Sequence, residues 1–124
     1  MNTGRLYRLV AFGVVMSALA CASNQFGRAV DSHRWSDAAT ALNADASLLN
    51  DENTLFQAAM LYSFPNRATY DPVRARSLFE RLLTEHPAAP MRQTAVDQLS
   101  LLYELQRVTD ASTVRVQALQ SRIV

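Results

Sequence analysis

The chain has 124 residues and a formal net charge of +1, with 12 basic residues, all of them arginine, interleaved with 11 acids. Charge mixed this evenly leaves no basic stripe for a nucleic-acid backbone and no acidic tail, which excludes nucleic acid as a partner. A single cysteine, Cys21, excludes an intramolecular disulfide, so a chain long enough for one domain with a modest core must be held by packing.

Arg5 and Arg8 precede an uncharged run from Leu9 to Ala20, which ends in Ala18-Leu19-Ala20-Cys21. As a helix that run would be about 18 Å long, too short to span a hydrocarbon core of about 30 Å comfortably. A basic start, a short apolar stretch and small residues at its end are the pattern of a cleaved secretory leader. The segment resembles a bacterial lipoprotein box, although such boxes usually carry leucine three residues before the cysteine and this chain has Ala18 there. The resemblance implies a signal peptide over 1–20, cleavage between Ala20 and Cys21, diacylglycerol on the Cys21 thiol, and a tether over 21–25. Ala22 in place of aspartate implies, by the same resemblance, delivery to the periplasmic face of the outer membrane. Each buried methylene contributes about 0.8 kcal/mol and one acyl chain holds only marginally, so a cysteine with two or three chains stays attached. Two other readings are open. Ala18-Leu19-Ala20 also fits the small-x-small site of ordinary secretion, which would give a soluble periplasmic or secreted protein, and the run could be an uncleaved anchor.

Beyond the leader, residues 26–124 read as one all-α domain: no run alternates apolar and polar residues, and glycine occurs only at 4, 13 and 27. A short helix near Phe26 to Asp31 is followed by the turn Asp31-Ser32-His33 and a second helix from about Trp35 to Leu49. Asn50-Asp51-Glu52 places capping groups before a third helix to about Phe64, apolar nearly all round and expected between neighbours. Pro65-Asn66 stops it. Asp71-Pro72 starts a fourth, with Ala75, Leu78, Phe79, Leu82 and Leu83 on one face, and His86-Pro87 ends it. Pro90 opens a fifth to about Gln106, where Met91, Ala95, Leu99, Leu102 and Tyr103 make one stripe and Val96, Leu101 and Leu105 another, predicting packing on two sides. Thr109-Asp110 is predicted to cap a terminal helix carrying Val114, Val116, Leu119 and Ile123, which either closes the open end of the stack or self-associates. The expected count is six helices in three pairs.

A weak repeat runs through these pairs. Trp35-x-x-Ala38-x-x-x-Leu42 reappears around Ala75-x-x-x-Phe79, and Leu61-Tyr62 reappears as Leu102-Tyr103, at separations of about 37 and 41 residues. On these residues the chain resembles tetratricopeptide-like (TPR) repeats, with Ala75, Phe79 and Pro87 at the small, aromatic and proline positions of the second helix and Leu61-Tyr62 at the end of the first. The Phe64 to Asp71 connection is longer than the family's turn and lacks its glycine. The resemblance implies antiparallel helix pairs stacked as a short right-handed solenoid, most like small outer-membrane repeat lipoproteins. Small residues such as Ala38 and Ala75 would let backbones approach, while Trp35, Tyr62 and Phe79 would fill the space between pairs.

Chemistry is sparse. His33 and His86 have no second histidine or cysteine at metal-ligand spacing, and no nucleophile elbow, phosphate loop or zinc motif occurs. No cofactor, metal or small-molecule substrate is expected, and the chain is not expected to be an enzyme. What remains is a lipid-anchored periplasmic scaffold that binds another envelope protein, with Arg67, Arg74, Arg92 and Gln93 as candidate contact residues. The alternative is an accessory or assembly subunit of a secretion or cell-wall complex.

Overall fold

Short polar side chains decide where this chain turns. A computed structural model describes residues 25–123; the signal peptide over 1–20, the Ala20 and Cys21 cleavage and attachment site, the first tether residues and Val124 lie outside them. The helices are α1 over 25–31, α2 over Trp35–Ala44, a 3-10 turn over Ala46–Asn50, α3 over Glu52–Ser63, α4 over Pro72–Glu85 and α5 over Arg92–Ile123. The described residues are all-helical, with no strand among them.

Helix α1 stops at a left-handed residue, His33, with φ 55°. The His33 amide donates to the Val30 carbonyl at 3.0 Å and the Arg34 amide to the Ala29 carbonyl at 2.8 Å, which satisfies the last carbonyls of the helix. The helix expected from Trp35 to Leu49 is interrupted at Asp45. Its carboxylate accepts from the Ser47 amide at 3.0 Å and the Ser47 hydroxyl at 2.6 Å, a local alternative to the helical ladder that restarts the chain as a 3-10 turn. Asp51 caps α3 by accepting from the Thr54 amide at 2.9 Å. Asp71 caps α4 by accepting from the Arg74 amide at 3.0 Å, with Pro72 in the first turn.

Helices α3 and α4 are antiparallel: the Asp71 amide donates to the Tyr62 carbonyl at 2.9 Å at one end, and Arg81 of α4 reaches Asn50, just before α3, at 3.0 Å at the other. Ala58, Ala59 and Ala75 are fully buried, so the helices approach closely, and Leu42, Leu55, Leu61, Phe79 and Leu82 fill the space around them. Helix α2 and the 3-10 turn pack on α3 from one side and α5 packs mainly on α4 from the other. That places the apolar α3 in the middle, as its composition requires.

The C-terminal third departs from expectation. Thr109-Asp110 starts no new helix, because neither glycine nor proline lies between Arg92 and Ile123 to break the ladder; Thr113 Oγ1 instead donates to the Thr109 carbonyl at 3.0 Å within one continuous α5. Among the described residues, five α-helices and a 3-10 turn therefore replace the expected six helices. Only one stripe of α5 is covered, with Ala95 and Leu102 buried, while Leu101 and Leu105 are exposed. Every described residue after Gln106 is exposed, so the terminal segment does not fold back over the stack but continues past it.

Candidate functional site

Trp35 begins α2 directly after the left-handed turn, and its indole meets the His33 ring edge-on, with centroids 5.2 Å apart at 81°. Helix α3 contributes Phe56, Met60 and Phe64 at spacings of four, which line up along one side of the helix and its C-terminal residue. The connection from Phe64 to Asp71 then folds against α3. The Arg67 amide donates to the Phe64 carbonyl at 3.1 Å, the Tyr70 amide to the Arg67 carbonyl at 3.0 Å, and the Thr69 hydroxyl to the Leu61 carbonyl at 3.0 Å.

This pinned loop lays the Arg67 guanidinium 3.8 Å from the Trp35 ring centroid and 4.1 Å from that of Phe64. A guanidinium over an aromatic face contributes about 0.5–1 kcal/mol at an exposed site and more as water is removed. Beneath the stack is a groove of 220 Å³ whose walls are Val30, Trp35, Phe56, Met60 and Phe64, with Gln57 and Arg67 as its polar groups. The Phe56 ring also meets Phe79 of α4 at 6.2 Å and 67°, which ties the groove wall to the core. Burial lowers the Arg67 pKa from its usual value, yet a guanidinium stays protonated at physiological pH. Among the described residues Arg67 makes no ion pair. The arrangement can hold an apolar side chain against the rings while unused N–H groups of Arg67 meet a carboxylate or carbonyl oxygen.

The four candidate contact residues do not form one surface. Arg67 belongs to the groove. Arg74 lies at the same end of the α3–α4 pair but is engaged within the fold, 3.3 and 3.2 Å from Asn43 Oδ1 and 4.3 Å from the Tyr62 ring centroid. Arg92 and Gln93 are exposed beyond the opposite end of α4, a helix length of about 20 Å away, and the Gln93 amide donates to Asp97 at 3.0 Å.

The residues expected to pack the repeats also divide. Ala38, Leu42, Leu61, Tyr62, Ala75, Phe79 and Leu102 are buried, and Trp35 is half-buried on the groove. Pro87 is exposed, on the outer side of a turn that buries Ala89 instead. Tyr103 is 48% exposed; no described helix follows α5 to cover it, and its hydroxyl instead donates to the Glu80 carboxylate, which raises its pKa. Tyr62, its counterpart in the repeat, has a buried hydroxyl with no partner among the described residues. Burial raises the Tyr62 pKa, Arg74 opposes that rise and Asp71 adds to it.

His86 is the C-cap of α4, its amide donating to the Leu82 carbonyl at 2.9 Å and its Nδ1 lying 3.9 Å from Glu52 Oε2. Among the described residues no three His, Cys, Asp or Glu side chains gather where a metal ion could sit, and no helix is long and apolar enough to cross a membrane. Phe56, Gln57, Met60 and Phe64 are groove residues that sequence reasoning did not single out; their spacing of four was a signal, but an equally good one for ordinary core. The chain matches no protein-family model, no curated protein and no solved structure.

Proposed function

We propose that the chain is a non-catalytic adaptor, held at the periplasmic face of the outer membrane by acylated Cys21, that binds another envelope protein through the groove under Arg67. One observation carries this reading: an apolar groove is lined by three aromatic rings and roofed by an arginine that has no ion-pair partner among the described residues. Aromatic residues and arginine are the side chains most often at the energetic centre of protein interfaces. A groove of this size suits one or two anchoring side chains of a peptide or helix, not a whole cofactor.

A TPR-like stack is the reading of the fold that goes with this function. It is supported by the antiparallel α3–α4 pair, by Ala75 and Phe79 fully buried one turn apart, and by Tyr62 buried at the end of α3. The 3-10 turn after α2 and the Phe64–Asp71 connection distinguish it from a regular repeat.

Photocrosslinking tests the proposal. A photoreactive residue replacing the exposed Gln57 should trap one predominant envelope protein in intact cells, and Arg67→Ala or Trp35→Ala in the same chain should reduce that adduct at least about tenfold, equivalent to roughly 1.4 kcal/mol. An adduct unchanged by both substitutions, or no adduct at all, contradicts the groove as the binding site.

A further inference from the structure

We propose that the part of α5 projecting past the helical body pairs with the same segment of a second copy of this chain, antiparallel, with Ser112 at the two-fold axis. Leu101, Leu105 and Val108 recur eleven residues later as Ser112, Val116 and Leu119, and Ile123 begins a third round. All six of these apolar side chains are exposed. Spacings of four, three and four repeated every eleven residues give about 3.67 residues per turn, so the stripe stays on one face of a nearly straight helix along its whole length. The stripe lies about a quarter turn around α5 from the side on which Ala95 and Leu102 are buried, and so stays open to solvent.

Two features name a second copy as the occupant. The first is self-complementarity. With Ser112 level with Ser112, Leu101 lies level with Ile123 of the second copy, Leu105 with Leu119 and Val108 with Val116, so every outer layer is apolar and the one small residue sits at the centre. The second is charge. Beside the stripe, Glu104, which also pairs with Arg107 of its own helix, lies on the N-terminal half, while Arg115 and Arg122 lie on the C-terminal half, which holds no acid after Asp110. Antiparallel pairing brings Glu104 within about 3 Å along the axis of the level of Arg122, on the same flank of the interface, at both ends of the pair. Parallel pairing would instead set Glu104 level with Glu104, on opposite flanks of the interface, and so give it no arginine from the second copy.

No other element among the described residues covers the segment after Gln106. From Val108 to Val116 five residues are β-branched, each up to about 0.7 kcal/mol less favourable in a helix than alanine, and helices in proteins draw most of their stability from packing one face. Closing the stripes of two copies removes on the order of 1,000 Å² from water, the low end of specific interfaces. Interfaces at that end of the range are those of weak, transient pairs.

Sedimentation equilibrium of the full chain in detergent, with helicity followed in parallel, tests the pairing by charge substitution at level positions. The unsubstituted chain should dimerise, and Leu105→Glu or Leu119→Arg alone should weaken the dimer at least about 100-fold, since each buries two unpaired charges. The double variant L105E/L119R should recover the dimer to within about tenfold, because the carboxylate introduced in one copy would then face the guanidinium introduced in the other. Both positions are about half exposed, 45% and 54%, so the body keeps its thermal transition in all variants. A monomer at about 100 µM, a dimer that survives the single substitutions, or a double variant as weak as the singles would each overturn the proposal.

Discussion

Arg67 and Tyr62 show how differently two polar side chains meet the same helix pair. The Arg67 guanidinium is stacked on two rings and keeps donors free, whereas the Tyr62 hydroxyl is buried with no partner among the described residues. A buried polar group left unpaired costs about 1–3 kcal/mol. Tyr62→Phe keeps the ring and its contact with Arg74 and removes only that hydroxyl, so urea denaturation at neutral pH should show stability unchanged or raised by about 1 kcal/mol. The pH dependence has a definite sign. Because burial raises the folded pKa of Tyr62 above its usual 10.0, the contribution of this group to stability is fully present below about pH 10 and is lost as pH rises through the folded value. The phenylalanine variant should therefore lose less stability than the parent in that alkaline range.

Among the elements, the starts of α3 and α4, each capped by an aspartate, were legible in the sequence. Asp71-Pro72 marks the start of α4 because an acceptor and a missing amide both suit a first turn, and the structure places the Asp71 carboxylate 3.0 Å from the Arg74 amide. Asp71→Ala should lower stability by about 1 kcal/mol in thermal denaturation, with Asp71→Asn retaining most of it. Thr109-Asp110 has the same chemistry but no breaker before it, so the ladder runs through and α5 is continuous. Asp45 shows the reverse: nothing in the apolar spacing of Trp35 to Leu49 signals a stop, yet its side chain captures Ser47 and divides the segment. Periodicity likewise identified Ala75, Leu78, Phe79 and Leu82 as a buried face, since helical spacing alone decides it. The groove was not legible. Its geometry depends on how the Phe64–Asp71 loop folds against α3, a path set by Thr69 and Asp71 bonds to α3 carbonyls that no local pattern announces.

At the scale of the molecule, an all-helical body carries an apolar groove at one place and a projecting, uncovered helix at another. A chain tethered by lipid at one end and paired through α5 would present two grooves and two anchors together, so that a bivalent partner would bind far more tightly than either groove allows alone. The proposed adaptor role depends on the proposed tether, because an adaptor acts by where it is held. The direct measurement is the intact mass of the chain recovered from bacterial membranes, with sequencing of its N-terminal peptide. An N-terminus at Cys21 carrying two or three acyl chains is the expected result; an intact Met1, or an unmodified Cys21 on a chain found in the soluble fraction, would contradict it.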